Sequence, residues 1–208
     1  MTNTQQSGDR GKLVIISGPS GVGKSTIVKQ LLEQCELPLE LSISATTRPP
    51  RADDQPGVNY HFMTAEEFRE RVVNEEFLEY VEVFGRGYWY GTLKEQVSTG
   101  LNRGKWIILE IDIAGAAKVL QAHPEALTIF IHPGNLSELQ RRLEKRGTET
   151  PESLGRRLEV AQQELSAASN YQNIVTNNTV DQAVTSICQL LLNSRNHPSG
   201  DNSECTTN

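Results

Sequence analysis

The chain has 208 residues, of which 37% are hydrophobic, and a formal net charge of −6. That length suits one well-buried domain with small inserted pieces, and the acidic balance argues against a nucleic-acid binder that works by neutralising phosphates. No apolar run approaches a membrane span, and the first residues lack the apolar core of a secretory signal, so no membrane partner is expected.

Residues 1–10 (MTNTQQSGDR) carry no apolar periodicity and read as a tail. The chain then organises itself around Leu13–Thr26, LVIISGPSGVGKST. A β-branched apolar run ends at Ser17 and is followed by Gly18, Pro19, Ser20, Gly21, Val22, Gly23, Lys24, Ser25 and Thr26. This is the phosphate-binding loop pattern, and it lies between a buried strand and a helix predicted over about 24–34. Its glycines let successive N–H groups converge on a triphosphate, and the helix directs its positive end at the same anion. Lys24 is expected to reach the β- and γ-phosphates, and the Ser25 hydroxyl to ligate Mg²⁺.

A short strand is predicted over 39–44. Residues 42–62 (SISATTRPPRADDQPGVNYHF) are too rich in hydroxyls and prolines for a core strand or a long helix, and a loop of that length inside a compact domain is usually functional. Arg48 and Arg51 flank Pro49-Pro50, a stiff spacer that suits two guanidinium forks to a dianionic phosphate, although two solvated arginines would look the same in isolation. Thr64 caps the next helix, with Glu67 placed to close a capping box and Phe68 and Val72 facing inward. Residues 75–83 read as a strand carrying Glu79, and 84–92 (FGRGYWYGT) as a glycine turn with Tyr88, Trp89 and Tyr90 in a hairpin.

A helix over 93–99 leads to the apolar strand WIILEID, residues 106–112, which ends in Glu110 and Asp112. Acids at the C-terminal edge of a parallel strand face the ligand crevice, where they can hold a magnesium water shell or contact the acceptor. Asp112 is equally placed to cap the helix over 114–122. Residues 127–131 form another buried strand. The helix over 136–146 carries Arg142 and Arg146 on one face, Gly147 stops it, and Thr150-Pro151 opens a further helix, to about 169, that carries Arg156 and Arg157. Arginines bracketing a glycine hinge suit a lid over phosphates; a charged helical hairpin is the plainer alternative. A last strand (174–176), a turn at Asn177-Asn178 and a helix over 180–192 complete the core, and residues from about 194 onward read as a second tail. His61, His123, His132 and His197 have no mutual metal spacing, and Cys35, Cys188 and Cys205 are too few and scattered for a disulfide or zinc framework, which makes a reducing, cytoplasmic setting the simplest expectation. The β-α alternation implies an α/β fold: a parallel sheet of the P-loop NTPase type with helices on both faces, an inserted subdomain and a helical lid.

The segments GPSGVGKST, SISATTRPPR, FLEY, YGT, LEID, RRLEKRGTET and IVTNN occur in that order over nearly all of residues 11–195, and with them the chain resembles the guanylate kinases. The resemblance implies Mg²⁺-dependent transfer of a phosphoryl group from ATP to GMP, giving ADP and GDP, with these small molecules as its partners and oligomeric state left open. It implies a core (11–42, 96–135, 169–195), a GMP-binding subdomain (43–95), a lid (136–168), and tails at 1–10 and 196–208. The GMP phosphate contacts fall on Arg48, Arg51, Tyr60 and Tyr90, and the guanine contacts on Ser44, Glu79 and Thr92 with Asp112 nearby. Lys24, Arg142, Arg146 and Arg157 would meet the transferring phosphate, and Asn177 the adenine side. The turn before Tyr90 is longer than is usual in the family, which leaves Tyr88 as an alternative, and Glu110 stands where aspartate is common. The chemistry of guanine agrees: its N1–H and N2–H₂ donors fit one carboxylate such as Glu79, and Ser44 can donate to O6, whereas adenine would leave buried acceptors unpaired. The intact loop and lid arginines separate the chain from a non-catalytic scaffold domain, the Glu79–Ser44 pair from a sugar kinase, and the absence of an Asn-Lys-x-Asp run from a GTPase switch.

Overall fold

The computed structural model describes residues 11–82, 87–145 and 151–196, with the side chains of 145 and 151–153 left aside. The chain enters through β1 (Leu13–Ser17), all five residues of which are buried, then α1 (Lys24–Gln34) and β2 (Leu39–Leu41). It leaves the core through β3 (Ala45–Thr46), β4 (His61–Phe62), α2 (Ala65–Val73), β5 (Phe77–Glu82) and β6 (Trp89–Leu93). It returns by α3 (Lys94–Asn102), β7 (Trp106–Glu110), α4 (Ile113–Ala122) and β8 (Leu127–His132). Helices α5 (Leu136–Lys145) and α6 (Pro151–Ser166) follow, then a 3₁₀ turn at Ala167–Asn170, β9 (Asn173–Thr176) and α7 (Val180–Asn196).

Five parallel strands form the central sheet in the order β2-β7-β1-β8-β9. Because side chains alternate across a strand, β1 feeds two cores. Leu13 and Ile15 join Val97 and Leu101 of α3 and Ala116 and Val119 of α4 on one face. Val14 and Ile16 join Ile27 and Leu31 of α1, Leu139 and Leu143 of α5 and Ile187 and Leu191 of α7 on the other. Burial on both faces is why these strands read as continuous apolar runs rather than alternating ones. The expected α/β class and helix-covered sheet are observed.

The excursion builds its own four-stranded sheet, β4-β3-β6-β5, with antiparallel β3–β6 and β5–β6 pairs. Its small core stacks Phe68 of α2 on Phe77 of β5, with ring centroids 4.4 Å apart. The capping box that positions α2 forms as its sequence predicts: Thr64 Oγ1 accepts the Glu67 N–H at 3.1 Å, and Glu67 Oε2 accepts the Thr64 N–H at 2.7 Å.

Several boundaries differ from the sequence expectation. The hydroxyl- and proline-rich stretch holds two strands of two residues each, stabilised by pairing to β6 and to one another rather than by their own propensity. Helix α3 runs on to Asn102, and α7 continues to Asn196, past the point where a tail was expected to begin. Arg146, Gly147, Thr150 and residues 83–86 lie outside the described residues, as do both outer tails.

The cysteine expectation is corrected. Cys35, just past α1, and Cys188 on α7 form a disulfide, with Cα atoms 5.7 Å apart across 153 residues of sequence. Packing of α1 beside α7 brings them together, a proximity that spacing alone does not reveal, and the cysteine count no longer argues for a reducing compartment. Cys205 lies outside the described residues. Among the described residues no helix is long and apolar enough to cross a membrane.

Leu31 is fully buried between α1 and the sheet. Leu31→Ala is expected to lower the free energy of unfolding by about 2–5 kcal/mol, read from the denaturant midpoint; a loss under ~1 kcal/mol would show that this core collapses around the cavity.

Candidate active site

The phosphate loop runs from the end of β1 to the start of α1, where only glycine fits at two close approaches. Gly18 has φ 147°, and a Cβ there would sit 2.4 Å from the Ile131 carbonyl oxygen of β8. Gly23 has φ 101°, and a Cβ there would sit 2.8 Å from Asn177 Nδ2. Gly23 is also the N-cap of α1 and offers no side-chain cap, so the first N–H groups of the helix remain open to an anion. Lys24 Nζ folds back over the loop and donates to the carbonyls of Gly18 at 2.6 Å and Pro19 at 3.1 Å.

Strand register sets the next group. Ile16 of β1 pairs with Glu110 of β7, which brings Glu110 to the C-terminal edge beside the start of α1. Ser25 Oγ donates to Glu110 Oε1 at 2.6 Å. Asp112 accepts the Gly115 N–H at 2.7 Å and caps α4, so the capping role is formed; it also lines the cleft. The hydroxyl–carboxylate pair at Ser25 and Glu110 offers the hard oxygen donors that Mg²⁺ accepts. Among the described residues no three His, Cys, Asp or Glu side chains cluster to hold a metal alone.

A cleft of about 600 Å³ joins this loop to the inserted sheet. Its core wall includes Gly18, Ser20, Gly21, Gly23, Lys24, Ser25 and Thr26; its far wall includes Ser44, Arg51, Tyr60, Glu79 and Tyr90. Glu79 is only 4% exposed. Pairing of β5 with β6 sets it opposite Thr92, whose buried hydroxyl donates to Glu79 Oε1 at 2.7 Å. Burial pushes the Glu79 carboxyl up to about 7, and the charge of Asp112 adds to the rise, against the opposing Thr92 hydrogen bond and Lys118.

The arginine pair separates. Arg51 lines the cleft, and its N–H donates to Asp54 Oδ2 at 2.7 Å. Arg48 forms an ion pair with Asp54 at 2.9 Å and lies over the Tyr60 and Phe62 rings, 5.3 and 5.6 Å from their centroids. Tyr60 and Tyr90 meet edge to face at 5.6 Å, and burial raises the Tyr60 hydroxyl pKa. Of the two alternatives in the turn, Tyr90 lines the cleft, whereas Tyr88 is exposed and does not.

The arginines expected in a lid are less uniform than their spacing suggests. Arg142 binds Glu138 Oε1 through Nε at 2.8 Å, and it donates to the carbonyls of Val22 at 3.1 Å and Asn177 at 2.8 Å. It braces the loop from behind instead of entering the cleft. Arg157 sits half-buried on α6, and Arg146 lies outside the described residues. Asn177 is 2% exposed, and its Nδ2 donates to the Val22 carbonyl at 2.8 Å, so it too supports the loop in this conformation and does not line the cleft. Sequence reasoning overlooked Val160 and Glu164, which line the cleft from α6; their four-residue spacing was the available signal, but a lone acid on a helix otherwise reads as solvated.

The comparisons with known proteins converge on this architecture. The family model for guanylate kinase matches residues 10–194. A guanylate kinase from Rhodopirellula baltica is 53% identical over 195 residues, covering 93% of each chain. One from Clostridium perfringens is 47% identical over 192 residues, covering 92% of this chain and 88% of its own. The crystal structure of guanylate kinase from Anaplasma phagocytophilum superposes with a TM-score of 0.76 at 28% identity, covering 91% of this chain and 89% of that one. With a phosphate loop on one wall of its cleft and a buried carboxylate on the other, the chain belongs to the guanylate kinase family.

Proposed function

We propose that this cleft transfers the γ-phosphoryl group of ATP to GMP, giving ADP and GDP. The observation that carries the reading is the placement of Glu79, buried and held by Thr92, across one cleft from an intact phosphate loop. The inserted sheet, 43–95, serves as the GMP-binding subdomain, and 136–168 as the lid over the core.

Ionised Glu79 accepts guanine N1–H and N2–H₂ together, with Ser44 donating to O6, Thr92 fixing the carboxylate and Asp112 beside it. Arg51, Tyr60 and Tyr90 take the GMP phosphate, and Arg48 joins them by exchanging Asp54 for the stronger dianion. On the opposite wall the backbone N–H groups of Gly18 and of residues 20–26 cradle the triphosphate, Lys24 releases its two carbonyls to pair with the β- and γ-phosphates, and the Ser25 hydroxyl, with Glu110 behind it, would hold the metal. Mg²⁺ accompanying ATP would neutralise phosphate charge there. Because the attacking GMP oxygen is already ionised, the site needs no general base, and among the described residues the lining of the cleft includes no histidine. A phosphate oxygen of GMP bonds to the γ-phosphorus as the β–γ bridge breaks, and the electron pair leaves with ADP. Catalysis is then alignment plus charge neutralisation, with Arg146 and Arg157 brought in by the lid. Arg142 and Asn177 contribute in this reading through their grip on the Val22 carbonyl; direct contact with phosphate or adenine requires them to let go of it.

A coupled assay with GMP, AMP, UMP and no acceptor tests the reaction. Turnover is expected with GMP, and acceptor-independent ATP hydrolysis or a preference for AMP would contradict it. Lys24→Ala should cut turnover at least about 10²-fold with an unchanged melting profile; retained activity would remove the loop from the mechanism. Glu79→Gln should weaken GMP binding roughly 10- to 100-fold while ATP binding holds, measured by calorimetry.

The pH dependence has a defined sign. Free Glu79 keeps its proton up to about 7, and the protonated form cannot accept both guanine donors. GMP affinity should therefore rise as pH increases from about 6 to about 8, approaching tenfold per unit on the acid side. The Glu79→Gln variant should lack that component, and identical slopes in the two proteins would exclude this placement of guanine.

A further inference from the structure

Helix α6 turns two residues toward the phosphate-loop side of the cleft, Val160 and, one turn later, Glu164. The mechanism above assigns Glu164 no part. Its Oε2 is buried without a hydrogen-bond partner. The carboxylate faces the backbone N–H of Ser20, and it lies near enough to Lys24 for the ammonium to favour its ionised form. Burial works the other way and, helped by Asp112, raises the carboxyl pKa. A half-satisfied carboxylate beside a loop built to bind anions has an evident surrogate role: it presents to Ser20 and Lys24 the same charge and oxygen geometry that a phosphate oxygen would.

We propose that Glu164 is a positioning residue that stands in for phosphate, holding α6 against the Ser20 end of the loop until an incoming triphosphate displaces it. The proposal rests on reading the loop as the triphosphate site. Two anionic groups cannot share Ser20 N–H and Lys24 at short range in a partly desolvated cleft without strong repulsion. Triphosphate binding therefore has to expel the carboxylate, and the expulsion releases α6, the helix that also carries Arg157. Loading the loop is thereby coupled to movement of the lid through one side chain, while Arg142 keeps α5 attached to the Val22 carbonyl from the other side.

Isothermal titration of the full chain with ATP and Mg²⁺ in the absence of GMP, and separately with GMP alone, tests this. Glu164→Gln keeps an acceptor oxygen and the shape but removes the charge to be expelled. It should bind ATP on the order of fivefold more tightly, with GMP affinity unchanged and KM for ATP falling while kcat does not rise. Glu164→Ala should shift ATP affinity in the same direction, which keeps the test valid if the buried amide destabilises the glutamine variant. Unchanged or weaker ATP binding in both variants would overturn the proposal, and a loss of stability with no nucleotide-selective change would mark Glu164 as structural. Failure of the unmodified protein to bind ATP at all would instead sink the reading of the loop, and this inference with it.

Discussion

The Val22 carbonyl is the point on which the site depends. It belongs to the phosphate loop, and two donors from distant parts of the chain hold it: Asn177 Nδ2 at 2.8 Å and an Arg142 guanidinium nitrogen at 3.1 Å. Arg142 also binds the Asn177 carbonyl at 2.8 Å, so the loop, α5 and the residue after β9 close into one network. A loop designed to point its N–H groups outward leaves carbonyls facing inward, and those carbonyls need partners. Packing helps by removing alternatives: Val22 itself is buried with Leu139 and Leu143 of α5. The cradle is thus preorganised before any nucleotide arrives, which lowers the reorganisation needed at the moment of transfer.

The opposite wall meets a different physical demand. Reading a guanine edge takes a carboxylate, and excluding water from it takes burial, but burial opposes the charge that recognition needs. The inserted sheet resolves this only partly: Thr92 supplies a hydrogen bond at 2.7 Å, Lys118 a modest attraction, and the carboxyl still rises to about 7. A ligand that brings two donors completes what the protein leaves unfinished. In the proposed reading, selectivity follows from the mismatch any other base would leave behind. Arg48 shows a related economy, since its ion pair with Asp54 and its place over the Tyr60 and Phe62 rings hold the guanidinium beside the Tyr60 that lines the cleft.

These two walls are joined by few elements, chiefly the chain passing through β2 into β3 and returning from β6 into α3, with Lys118 of α4 donating to the Tyr80 carbonyl of β5.

The chain's local chemistry alone determined the phosphate loop, the strand-helix alternation, the capping box at Thr64 and the existence of an arginine- and aromatic-bearing insertion, because each rests on residues within a few positions of one another. What only the tertiary structure decided are relations between residues far apart in sequence. Arg142 and Asn177 read as ligand contacts and brace the loop in this conformation; Arg48 is drawn to Asp54 while Arg51 faces the cleft; Glu164, which sequence reasoning overlooked, lines it. Cys35 meets Cys188 across 153 residues, and Glu79 acquires its raised pKa from the strand pairing that buries it. The physical reason is common to all of them: residue type sets what a side chain can donate, accept or carry, but burial and partner distance set which of those capacities is used, and both arise only when the sheet and its helices have packed.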